Sequence, residues 1–263
     1  MDNIKIVKEN SEIFKNKSYT AKSGTLVDIS KQLEFSNVNT KFYPHTFEVP
    51  HVIVGATKHN ITVTEETTNQ AIHRLRTKYP NVNVLALNFA SAKEPGGGYL
   101  RGAIAQEEDI CRGSSLYNNL LTQPDYYRNN KNLRSPLYTD GMIISKEILF
   151  FRDQNMDLLE VPITADVLTC PAPMAKICSG SQLLELESTL DQRIHKMLHL
   201  AYEQGYHSLI LGAWGCGAFG NDPILVSSLF NKHLKKFKFV DVCFAIYDKA
   251  NNQKVLKAFR NEL

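Results

Sequence analysis

Residues 82–112 read VNVLALNFASAKEPGGGYLRGAIAQEEDICR. The apolar run from Val82 to Phe89 predicts a β-strand of buried type. Pro95 and three consecutive glycines, Gly96, Gly97 and Gly98, follow it. Glycines in a row remove every Cβ, so the backbone can reach positive φ and approach a partner closely. They also present successive N–H groups, which can form an anion-binding concavity. Eight residues past the last glycine stand Gln106, Glu107 and Glu108. Adjacent carboxylates beside such a loop offer a general acid/base next to a bound phosphate. A triple glycine alone suits a linker, and a Glu pair alone suits an exposed helix. Their sequence after a buried strand favours the catalytic reading.

A second glycine-rich segment, residues 212–222, reads GAWGCGAFGND and carries Gly215, Gly217 and Gly220 at dinucleotide-fingerprint spacing. It follows the apolar strand predicted at Ser208–Leu211 and precedes a helix predicted from Pro223. No ribose-binding acid in a second βα unit accompanies it, so the fingerprint itself is weak. The mechanics remain: backbone N–H groups at a helix N-terminus bind phosphate. Cys216 has no histidine or other base near it in sequence and reads as a small packing residue, while Trp214 reads as a large residue of the core or of the packing behind the loop. The Tyr99 ring could serve as packing or as a lid over the glycines.

The pattern GGG, spacer, QEE within NFASAKEPGGGYLRGAIAQEE resembles the signature of poly(ADP-ribose) glycohydrolases, in their compact microbial form, which are built on a macrodomain core. The resemblance extends from about Tyr19 to the C-terminus. It implies a macrodomain-like three-layer α/β/α sandwich with a mixed central sheet, and hydrolysis of the O-glycosidic ribose–ribose bond with release of ADP-ribose. It casts Glu108 as the acid that protonates the leaving oxygen and then as the base that activates water. Glu107 would orient the ribose, and Phe219 would pack on it. Substrate contacts would come from Asn88, Gly96, Gly97, Gly98 and Gln106, and from Gly215, Cys216, Gly217, Ala218, Phe219 and Gly220. From its own chemistry, Asn88 suits a ribose or phosphate contact and a strand-end cap about equally. A carboxyl crowded by a second carboxylate and a diphosphate would be held protonated near neutrality. Neither metal nor cofactor is implied. The partner would be poly(ADP-ribose) or an ADP-ribosylated macromolecule, in the reversal of ADP-ribosylation and the DNA damage response. The segment Phe244–Asp248 resembles the strand that closes the adenosine pocket. One departure stands out: Met174 follows Pro171-Ala172-Pro173, where family members usually carry Asn.

Around these motifs the elements alternate. A helix is predicted over residues 1–20, a strand at Thr25–Ile29, and a polar, aromatic wrap from Gln32 to His51. Short β-branched runs at His51–Val54 and Ile61–Thr64 precede a helix at Thr67–Lys78. After the carboxylates come a short helix at Leu116–Leu121, a polar loop at Lys131–Asp140, and two strand segments, Met142–Ser145 and Ile148–Phe151. A strand at Pro162–Ala172 and a long helix at Ser181–Glu203 follow. A helix to Phe237, a strand at Val240–Tyr247 and a helix at Asn251–Phe259 end the chain. Strand–helix alternation predicts an α/β fold with helices on both faces of the sheet. Ligands of such sheets sit beyond the carboxyl ends of the strands, where both glycine loops begin. One domain over residues 1–263 is expected, with about 1–50 as an N-terminal accessory segment.

With 43% hydrophobic and 22% charged residues, the composition is that of an ordinary globular chain. A net charge of +3 gives no reason to expect an obligatory nucleic-acid partner. The five cysteines are scattered with no C-x-x-C pair, which argues against a disulfide framework and a zinc site. His195 and His199 lack the intervening glutamate of a zinc-hydrolase helix. No apolar run reaches the ~18 residues of a membrane span, and the first residues lack a secretory apolar core. A monomer in a reducing cytoplasmic or nuclear setting is expected, without membrane association. Two alternatives stay open on the residues alone. One is a macrodomain hydrolase of mono-ADP-ribosylated protein or nucleic acid, or of acylated ADP-ribose. The other is a non-catalytic ADP-ribose-binding module, which would not need the paired carboxylates.

Overall fold

The computed structural model describes residues 2–49, 60–250 and 252–263. Among them, strand β5 (Val84–Phe89) lies inside a mixed seven-stranded sheet. The sheet order is β3 (Thr40–Tyr43), β6 (Met142–Arg152), β7 (Leu158–Cys170), β5, β8 (Ser208–Leu211), β9 (Asp241–Ala245) and β4 (Asn60–Thr64). The β7–β5–β8–β9–β4 block is parallel, while β3 and β6 run antiparallel to their neighbours.

Side chains along a strand alternate between faces, and β5 is apolar on both. Leu85 and Leu87 join one core, with Ile194 and Met197 of α7 (Ser181–Glu203), Phe230 of α8 (Pro223–Leu234) and Phe259 of α9 (Lys254–Glu262). Val84 and Ala86 join the other. That second core also takes Ile72 of α3 (Thr68–Lys78), Ile110 of α4 (Gln106–Gly113), Leu120 of α5 (Leu116–Leu121) and Tyr126 of α6 (Pro124–Leu133). Two helical layers over one sheet make the three-layer α/β/α sandwich of the macrodomain type.

Several elements depart from the sequence reading. The expected wrap at 32–51 contains α2 (Ser30–Val38) and the edge strand β3, whose Thr40 pairs with Ser145 and Tyr43 with Met142. Its four residues are too short and too polar to stand out. The two segments read at 142–151 are one strand, β6, whose register shifts between Ser145 and Ile148, with Glu147 at φ +48°. The Glu147 N–H donates to Asp166 at 2.7 Å, which anchors the bulge. Helix α6 occupies the start of the expected polar loop. The run at 51–54 lies outside the described residues.

The N-terminal helix α1 (Asn3–Asn16) stops where Lys17 adopts φ +55°, and a small hairpin, β1 (Ser18–Thr20) with β2 (Leu26–Asp28), follows. Ile13, Tyr19, Ile29 and Leu33 pack there on Leu149 and Phe151 of β6. Residues 2–49 are thus packed on the body of the sandwich. They supply a sheet strand, and α1 sits against the loop that follows Gly98.

Phe89, Cys170, Leu211 and Ala245 end their parallel strands at one edge of the sheet. Both glycine-rich loops leave from that edge, which places the candidate site.

Candidate active site

Helix α4 begins at Gln106, so Glu107 and Glu108 stand in its first turn, where the helix dipole favours negative charge. Both are nearly inaccessible, at 3% and 8% exposure. Glu107 accepts from the Ser91 N–H at 2.7 Å and from the Asn88 amide at 3.2 Å. Burial pushes its carboxyl up to about 8, and repulsion from Glu108 adds to this; the Ser91 and Gly96 N–H groups and the Asn88 amide pull it down.

Glu108 is held differently. Its Oε1 accepts from the Gly98 N–H at 2.8 Å, while its Oε2 is buried without a hydrogen-bond partner among the described residues. One Glu108 oxygen is thus anchored, and the other is left without a contact from the chain.

The triple glycine does form an anion cradle, but its anions are the chain's own carboxylates. The Gly96 N–H serves Glu107, the Gly98 N–H serves Glu108, and the Gly97 N–H donates to the Glu94 carbonyl at 3.0 Å. The Gly97 and Gly98 donors are thus engaged within the chain. Gly97 sits at φ +58°, and a Cβ there would fall 2.6 Å from Glu108 Oε1 and 3.0 Å from Glu107 Oε2. Only glycine lets the backbone lie this close under both carboxylates.

The free donors are in the second loop. Among the described residues, the N–H groups of Gly215, Gly217, Ala218 and Phe219 donate to nothing. The Trp214, Cys216, Gly220 and Asn221 N–H groups close turns inside the loop. Asn221 braces it by donating to the Pro173 and Gly215 carbonyls at 2.8 and 3.1 Å. The helix that follows contributes less than expected, because Pro223 lacks an N–H and Asp222 caps Ile224 at 3.0 Å. The unengaged donors therefore lie in the loop rather than at the helix N-terminus.

A cavity of about 600 Å³ runs along this loop. Its lining includes Gly215, Cys216, Gly217, Ala218 and Phe219 of the loop, Gln106, Asp109 and Arg112 of α4, and Glu66, Thr67, Tyr247, Asp248 and Val255. Residues 245–248 line it where the resemblance puts the adenosine-closing strand. The carboxylates and Gly96–Gly98 are not among its walls, and neither is Gly220, whose open face carries the Lys176 side chain. Asn88 is wholly buried; its amide NH₂ donates to Glu107 and Thr169, while its Oδ1 has no partner among the described residues. Gln106 lines the cavity, yet its amide is spent on Phe89 N–H, Thr68 and the Leu87 carbonyl, stapling α4 to β5 and α3.

Cys216 is a packing residue: its thiol, pushed up to about 12 by burial, lies 3.6 Å from the Trp214 carbonyl. Trp214 is fully buried, with its indole N–H on the Cys170 carbonyl at 3.0 Å. Tyr99 is buried too, and its hydroxyl accepts from Asn10 at 3.1 Å. Met174 does not line the cavity, but its N–H donates to the Pro136 carbonyl at 2.8 Å, tying two loops beside the site.

The sequence reading missed three participants. Ser91 works through its backbone, which leaves no side-chain signal. Asn10 lies 89 positions from Tyr99. Tyr138 adopts φ +58° and packs on Phe219, with ring centroids 6.3 Å apart. Its strained backbone is held by buried Arg193, which donates to the Leu137 and Tyr138 carbonyls at 2.9 and 3.2 Å.

Known proteins share this fold. The crystal structure of poly(ADP-ribose) glycohydrolase from Thermomonospora curvata superposes with a TM-score of 0.92 at 36% identity, covering 99% of both chains. The same enzyme bound to the inhibitor ADP-HPD gives a TM-score of 0.90 at 37% identity over 99% of both chains. The Deinococcus radiodurans enzyme in complex with ADP-ribose gives 0.79 at 38% identity, over 88% of this chain and 96% of that one. No curated protein sequence matches the chain significantly. The family model for the catalytic domain of microbial-type PARG matches residues 7–153, a span that holds both carboxylates and the triple glycine, and the chain therefore belongs to the microbial-type poly(ADP-ribose) glycohydrolase family.

Proposed function

We propose that the chain hydrolyses the O-glycosidic ribose–ribose bond of poly(ADP-ribose) and releases ADP-ribose. The observation that carries this reading is Glu108, fixed by Gly98 through one oxygen and bare at the other. Protonated Glu108 gives its proton to the leaving 2′-oxygen as the glycosidic bond breaks. The ribose becomes an oxocarbenium-like centre, and the carboxylate left behind takes a proton from water as that water adds. The cycle restores the acid.

The diphosphate of the substrate rests on the unengaged N–H groups of Gly215, Gly217, Ala218 and Phe219, and its charge stabilises the cationic ribose. Phe219 packs on that ribose, and Glu107, fixed by Ser91 and Asn88, orients it. Asn88 and Gln106 serve as positioning residues, and Gly96–Gly98 hold the acid/base pair in place. A binding module would need the second loop alone, so the buried and individually anchored carboxylates favour catalysis.

The test is a product assay on labelled polymer and on protein carrying a single ADP-ribose. Release of ADP-ribose from polymer supports the proposal. Activity confined to the single-unit substrate would point to the other linkage, and inactivity on both, with ADP-ribose still bound, would leave a binding module.

A further inference from the structure

A polymer has a second side to recognise. Once a terminal unit fills the cavity, the chain continues away from the cleavage point, and every further unit carries a diphosphate. The charged groups lining the cavity are Glu66, Asp109, Arg112 and Asp248, and Arg112 is occupied by Asp109 at 3.6 Å and by the Ala103 carbonyl. The cavity thus meets its own diphosphate with backbone donors. Cations are placed elsewhere, around Phe219.

Lys93 lies two residues beyond Ser91, the anchor of Glu107, and its N–H donates to the Ser91 hydroxyl at 3.3 Å. Its ammonium stands 5.9 Å from the centroid of the Tyr138 ring, which packs in turn on Phe219. Lys176 borders Phe219 through its backbone. Its N–H donates to the Phe219 carbonyl at 3.1 Å, and its stem covers Gly220, where a Cβ would lie 2.6 Å from Lys176 Cγ. Both lysines are exposed, and neither has an ion-pair partner among the described residues. Lys131 nearby is committed to Glu94 at 3.1 Å. Lys93, Tyr138 and Lys176 are not cavity walls, so they border Phe219 from outside it.

We propose that Lys93 and Lys176 form a second anion subsite, on the leaving-group side of the cleavage point, which takes the diphosphate of the next unit of a poly(ADP-ribose) chain. The proposal rests on the polymer reading above. The Lys93 ammonium is steadied by the Tyr138 ring and the Lys176 stem by its packing over Gly220, so less side-chain freedom is lost on binding. Such exposed contacts add affinity for the polymer and make it salt-dependent, without adding affinity for free ADP-ribose.

Equilibrium binding with the Glu108→Gln protein reads the subsite without cleavage of the probe. Labelled polymer should bind more tightly than ADP-ribose. Lys93→Ala combined with Lys176→Ala should weaken polymer binding about tenfold at low salt and flatten its salt dependence. ADP-ribose affinity should stay unchanged, and the double Lys→Arg variant should keep polymer affinity. Equal polymer affinity with and without the lysines would overturn the subsite. So would a parallel loss of ADP-ribose affinity, since that would place their effect inside the cavity. Whether the wild type cleaves polymer is read separately and decides only the underlying reaction.

Discussion

At the scale of single residues, the two glycine loops spend their N–H groups differently. Gly96 and Gly98 hold carboxylates, whereas Gly215 and Gly217 keep their donors free. Gly97→Ala therefore acts on the acid rather than on the ligand. The new methyl would push Glu108 and Glu107 from their seats, and misplacing a catalytic group by about 1 Å costs on the order of 10²-fold in rate. Turnover on polymer should fall by that order while ADP-ribose titrates the variant as it does the wild type. A matching loss of affinity would return these glycines to the phosphate. That the carboxylates and glycines belong together is legible from their spacing. Which anion the loop serves is not, because that depends on how α4 docks on the β5 edge.

At the scale of elements, α1 acts as a strut for the loop carrying the glycines. Asn10 donates to the Tyr99 hydroxyl at 3.1 Å and to the Arg112 carbonyl at 3.0 Å, and accepts from Arg152 at 2.9 Å. Asn3 adds a bond to the Gly102 carbonyl at 3.0 Å. Asn10→Ala leaves buried Arg152 short of an acceptor and should cost about 1–3 kcal/mol in denaturant unfolding. Turnover should fall as well, because Tyr99 follows Gly98 directly; an unchanged rate in the folded variant would detach α1 from the site. The long elements are legible in sequence: α7 and β8 coincide with their predicted spans. The helix at Thr67 is legible because its Thr67–Gln70 capping box is local. Strand β3 and the single β6 are not, since an edge strand and a bulge are defined by their neighbours rather than by their own periodicity.

At the scale of the whole molecule, the sandwich holds a carboxyl that is stabler neutral than charged. Burial raises Glu107 from 4.5 to about 8, so the folded state holds this proton after the unfolded chain has released it. Its contribution to stability is fully present below pH 4.5 and is lost as pH rises through about 8. Glu107→Gln removes that dependence, so its melting temperature relative to wild type should climb across this window. A constant difference would mean that Glu107 is ionised in the fold. The central claim, that Glu108 cycles between acid and base, is tested most directly by single-turnover hydrolysis of labelled polymer with Glu108→Gln, alongside ADP-ribose titration. Glutamine keeps the size and the Gly98 hydrogen bond but cannot carry the proton. The rate should fall by at least about 10²–10⁴-fold with ADP-ribose affinity retained; cleavage at the wild-type rate would contradict the mechanism.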